Sequence, residues 1–146
     1  MIKLRQVLIL VFVVFGFVSS LTFAQGLTPD DLVNQAKSEI KEVTVKEANE
    51  LLDKSNVVFL DVREAYELKD GFVPGSINIP RGELEFKIEK AMPDKDKDIV
   101  VYCRTGRRSS LATQTLFKMG YKKVMNLKDG FMGWVSGSYP VESPDK

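Results

Sequence analysis

The stretch DIVVYCRTGRRSSLATQTLFKMG, Asp98 to Gly120, decides the fold. DIVVY is a short apolar run with β-branched residues, and such a run suits a strand covered on both faces. Arg107 to Met119 reads as a helix. Leu111, Ala112, Thr115, Leu116 and Met119 recur on one face, and Gly120 stops it as a C-cap. Only Cys103 to Gly106 lie between, so the chain turns straight from a buried strand into a helix. Strands alternating with helices in this way build α/β domains.

The rest of the chain repeats the pattern outward. NVVFLD, Asn56 to Asp61, is a second buried strand, Ser76 to Ile79 a short one and Val124 to Leu127 a third core strand. Thr28-Pro29-Asp30-Asp31 reads as a helix start, with Leu32, Val33, Ala36 and Ile40 as its apolar stripe. Thr44 and Glu47 form a capping box that opens a helix over Val45 to Leu52. Glu83 to Ala91 is helical by composition, and Gly130 to Val135 is a final short helix. Lys90 to Asp98 is a charge run that reads as a solvated loop. The expected fold is α/β, a mostly parallel sheet with helices on both faces.

The first residues do not belong to that domain. Lys3 and Arg5 precede the uncharged apolar run Val7 to Val18, and small residues around Thr22-Phe23-Ala24 follow. That is the layout of a signal peptide over residues 1–24, cleaved after Ala24. An uncleaved membrane tether is the alternative, because Val7 to Ala24 is nearly long enough to span a bilayer. The expected organisation is a signal peptide (1–24), an N-terminal helical extension (25–42) and one domain (43–142). The expected location is outside the cytoplasm, in the periplasm. The whole chain carries 21 bases and 20 acids; without Lys3 and Arg5 the bases fall to 19, for a net charge of −1. Such a balance gives no pull toward nucleic acid, and no membrane contact is expected once the signal is removed.

Cys103 is the only cysteine among 146 residues. An odd thiol in an exported protein is a buried filler, an intermolecular link or a reactive group. Its placement favours the last. Ligands of open parallel sheets bind beyond the carboxyl ends of strands, where Cys103 stands. Arg104, Thr105, Gly106, Arg107 and Arg108 must curl into a helix N-terminus, whose N–H groups lack intrahelical partners. Free amides, the helix dipole and guanidinium groups all favour negative charge on sulfur, the nucleophilic form. Arginines in a first helical turn oppose the dipole by about 0.3–1 kcal/mol each. An anion in the loop removes that conflict. Otherwise the arginines extend into solvent or pair with Asp61 or Glu64.

Absences narrow the chemistry. The chain has no histidine, so it has no Cys–His dyad, and one cysteine cannot build a usual zinc site. No C-x-x-C and no phosphate-binding glycine loop is present. No metal and no cofactor is expected. A lone thiolate that takes a group from an anionic donor remains.

The chain resembles the rhodanese-like sulfurtransferases. FLDVREAYELKDG (59–71), FVPGSINIPRGELE (72–85), IVVYCRTGRRSS (99–110) and VMNLKDGFMGW (124–134) carry the resemblance, which covers Val43 to Glu142. It implies a five-stranded parallel sheet flanked by helices. It also implies a sulfurtransferase that moves a sulfane sulfur from a small anionic donor such as thiosulfate to a thiophilic acceptor such as cyanide or a thiol. Cys103 is then the catalytic residue and carries the sulfur as a persulfide. Arg104, Thr105, Gly106, Arg107 and Arg108 bind the substrate, with Asp61 and Arg63 tying strand ends together nearby. Phe72 stands where many relatives have histidine, which is expected to alter packing more than chemistry. A carrier that delivers the persulfide to a protein partner is the alternative. Phosphatase relatives of the fold use C-x5-R, and this chain offers only C-x4-R at Arg108.

Overall fold

The computed structural model describes residues 26–54 and 56–144. The signal-peptide reading over residues 1–24 lies outside them. Five parallel strands run in the order β1-β5-β4-β2-β3: β1 Lys41–Val43, β2 Val57–Asp61, β3 Ile77–Asn78, β4 Asp98–Tyr102 and β5 Lys123–Leu127. β4 holds the centre, which is why Ile99 to Tyr102 are all buried. Its alternation sorts the core into two layers. Ile99, Val101 and Cys103 pack with Leu60, Ile88, Ala112 and Leu116 on one face. Val100 and Tyr102 pack with Phe59, Leu127, Phe131 and Trp134 on the other.

The helices are α1 Pro29–Glu39, α2 Val45–Leu52, α3 Leu84–Ala91, α4 Arg107–Lys118 and α5 Gly130–Ser136. Both N-terminal signals close as capping boxes. Thr28 exchanges bonds with Asp31, and Thr44 with Glu47, so orphan N–H groups of each first turn are satisfied. Two 3₁₀ turns, Ala65–Asp70 and Arg81–Glu83, occupy the connections around β3. Among the described residues no helix is long and apolar enough to cross a membrane.

Three expectations need correction. The N-terminal extension is helical only to Glu39, and its last two residues, Lys41 and Glu42, already belong to β1. Helix α4 buries Ser109, Ser110, Ala112, Thr113 and Leu116, while Leu111, Thr115 and Met119 are only half-buried. The cause is α1, which packs along α4 and covers a second face of it. In α1 itself Val33 and Ala36 are buried, but Leu32 stays 43% exposed.

Candidate active site

Cys103 follows β4 directly and keeps its alternation, so its side chain enters the α4 layer and is buried. Ser109, six residues on in the first turn of α4, donates its hydroxyl to the Cys103 sulfur at 3.4 Å. Between them the backbone turns through Gly106 at φ +83°, a left-handed conformation that favours glycine. The Gly106 carbonyl is held from three sides. Ser110 donates its N–H at 3.2 Å and its hydroxyl at 2.6 Å, and the Asn126 amide donates at 3.3 Å. Among the described residues no hydrogen bond takes up the backbone N–H groups of Arg104 through Ser109. Consecutive free amides at a helix N-terminus form a cradle for an anion.

A second helix fixes the loop from outside. Phe131 donates its N–H to the Cys103 carbonyl at 2.8 Å, and Met132 to that of Arg104 at 3.0 Å. Gly130 permits this approach. A Cβ there would lie 2.5 Å from the Cys103 carbonyl oxygen and 2.7 Å from the Gly106 nitrogen. α5 and the loop therefore touch backbone to backbone.

The loop arginines have different partners. Arg107 is paired with Asp30 in α1, and both side chains are largely exposed. Arg108 forms a fork with Glu67, its two terminal nitrogens donating at 2.7 Å and 2.9 Å. That bond holds the Glu67 carboxyl below the usual range against the opposing effect of burial. Arg108 is raised in turn, chiefly by Glu67, with a smaller contribution from the Cys103 sulfur. Arg104 is exposed and has no carboxylate partner among the described residues. With Arg63, Asp70, Phe131, Met132, Val135 and Ser136 it lines an opening of about 280 Å³ beside the loop. Thr105 is likewise exposed at the loop surface.

Asp61 and Arg63 form a buried pair under this opening. Arg63 donates from Nη2 to Asp61 at 2.6 Å and to the Gly71 carbonyl at 2.8 Å. Its guanidinium lies 4.2 Å from the centre of the Phe131 ring. Tyr102 accepts from the Val73 N–H at 3.1 Å and lies 2.9 Å from the Ser76 hydroxyl. Burial, then the Asp61 charge, raises its hydroxyl well above the ordinary phenol range. Phe72 is clamped by its backbone, which exchanges bonds of 2.8 Å and 2.9 Å with Glu142.

The loop from Cys103 to Arg108 is thus one contiguous cradle. Ser109, Glu67, Asp30 and Gly130 belong to it and do not stand out in the sequence. The glycine after Asp129 was the one available signal, since DG marks a turn that needs positive φ. Asp129 and Gly130 do have φ of 64° and 57°.

The family model described as Rhodanese-like domain matches residues 44–137. A sulfurtransferase of Allochromatium vinosum is 32% identical over 95 residues, 65% of this chain and 87% of the relative. The thiosulfate sulfurtransferase PspE of Escherichia coli is 42% identical over 82 residues, covering 54% of this chain and 79% of the relative. Among solved structures, a Rhodopseudomonas palustris protein of unknown function, described as a possible tyrosine phosphatase, superposes with a TM-score of 0.75 at 35% identity. That match covers 81% of this chain and 98% of the other.

Proposed function

The chain belongs to the rhodanese-like family, and from that premise we propose that it is a sulfurtransferase working through a persulfide on Cys103. The Allochromatium vinosum and Escherichia coli relatives are both named for sulfur transfer. The observation that carries the reading is the lone buried thiol at the head of a loop whose six following amides are free.

The chemistry balances without a cofactor. The Cys103 thiolate attacks the outer sulfur of thiosulfate, the S–S bond of the donor breaks and sulfite leaves with the electron pair. Three negative charges stand on each side of that step. Cyanide then takes the outer sulfur as thiocyanate and returns the thiolate. The free amides and the α4 dipole hold the charge on Cys103 in both forms. The anionic sulfur needs no histidine base.

A phosphatase reading is not supported by the loop. The C-x5-R pattern of that chemistry calls for arginine at position 109, where Ser109 instead donates to the sulfur. Arg108, one position short, is committed to Glu67. The apolar N-terminal run supports action after export, in the periplasm.

The test is the intact mass of the mature protein after thiosulfate and then after cyanide. One sulfur gained and then lost as thiocyanate is expected. Cys103→Ser abolishes both changes while the far-UV circular dichroism stays that of the wild type. Gain of sulfur by the Cys103→Ser variant rejects the assignment. Loading without discharge to cyanide, but with discharge to a protein thiol, makes the protein a carrier.

A further inference from the structure

Two of the three loop arginines are already paired, and Arg104 alone has no carboxylate partner among the described residues. Arg107 is held by Asp30, Arg63 by Asp61 and Arg108 by both oxygens of Glu67. Arg108 directly precedes Ser109, whose hydroxyl donates to the Cys103 sulfur at 3.4 Å. Its partner is well shielded from water, with the Glu67 side chain only 9% exposed. A donor anion that approaches Cys103 therefore meets, in Arg108, an arginine already engaged with the Glu67 carboxylate behind it. Arg104 and the loop amides stay open to a donor, but each further negative charge on that donor adds repulsion from Glu67, and Arg108 offers it no uncommitted charge. Two charges are penalised more than one.

We propose that Glu67 is a specificity-determining residue: by occupying Arg108 it discriminates against doubly charged donors and favours persulfides of low charge. This rests on the reading of Cys103 as the sulfur carrier. With a persulfide R–S–SH, the thiolate bonds to the outer sulfur and the donor's S–S bond breaks. R–S⁻ leaves with the pair, and the proton stays on the new Cys103 persulfide. One negative charge stands on each side, and no oxidant or reductant is needed. Glu67 accepts no proton and touches no reacting atom; it acts through Arg108.

The experiment measures kcat/KM for thiosulfate and for the persulfide of 2-mercaptoethanol, on the mature chain, in wild type and Glu67→Gln. The glutamine keeps the shape and removes the charge. The ratio of thiosulfate to persulfide kcat/KM is expected to rise about tenfold, mainly through a lower KM for thiosulfate, and to fall back as salt is added. Glu67→Ala gives the same direction if the glutamine variant is unstable. The double variant Glu67→Gln, Arg108→Gln must lose the gain, because the effect runs through Arg108. An unchanged or lower ratio in Glu67→Gln overturns the proposal, as does a gain that survives loss of Arg108. Absence of sulfur transfer from either donor overturns the Cys103 reading itself, and this inference with it.

Discussion

Gly130 is where the site is least tolerant of change. Its φ is +57°, and a Cβ would stand 2.5 Å from the Cys103 carbonyl oxygen and 2.8 Å from the carbonyl carbon of Arg104. All three nearest atoms are backbone, so no flexible side chain can yield. Gly130→Ala is expected to cost about 2–4 kcal/mol, the sum of a left-handed residue and an overpacked contact. It also pushes α5 off the loop, so sulfur loading falls with stability; urea denaturation and the loading rate measure the two. Ser109→Ala is milder. It removes one donor to sulfur at 3.4 Å and is expected to slow loading about threefold to tenfold, with little change in stability. The placement of Cys103 was legible at this scale, because an apolar run ending at Tyr102 and a helix starting at Arg107 leave it at the end of a buried strand. The partner of Arg108 was not. The sequence suggests Asp61 or Glu64, but Asp61 is consumed by Arg63, and the 3₁₀ turn brings Glu67 forward from 41 residues away.

At the scale of elements, the legible pieces are those whose burial is set locally. β2 and β4 are buried on both faces, so their apolar runs could be read directly. β1 could not. It is three residues, KEV, with two of them charged, and it exists because β5 offers it an edge. The second buried face of α4 has the same kind of origin, since α1 supplies it from the other end of the domain. α1 also reaches the loop through the Asp30–Arg107 pair and holds the flank of α4 through Gln114, which donates to Glu39 at 2.7 Å. Both members of the Asp30–Arg107 pair are more than half exposed. Asp30→Asn is therefore expected to change stability by less than about 1 kcal/mol in urea denaturation. A larger loss would mean that the anchoring of α1 to the loop depends on that one contact.

Across the described residues, four carboxyls are held below their ordinary range by a named partner. The chain has no histidine, so no imidazole titrates between pH 5 and 8. Asp31 and Glu47 are lowered by their threonine caps, Glu89 by Lys95 and Glu67 by Arg108. Among these four Glu67 is the buried one, and its carboxylate holds the active loop to the 3₁₀ turn. A carboxyl whose folded pKa lies below its unfolded value stabilises the fold above that unfolded value, about 4.5 for Glu67. The contribution is lost as the pH falls through the folded value, because protonation then removes the charge that Arg108 needs. Wild type is thus expected to be more stable than Glu67→Gln at pH 7 by a roughly constant margin down to about pH 5. Below about 4.5 the margin should shrink progressively as the pH falls. Urea denaturation of both proteins at pH 7, 5, 4 and 3 measures it. A margin that does not change with pH would mean that the fork from Arg108 contributes shape to the loop and no charge.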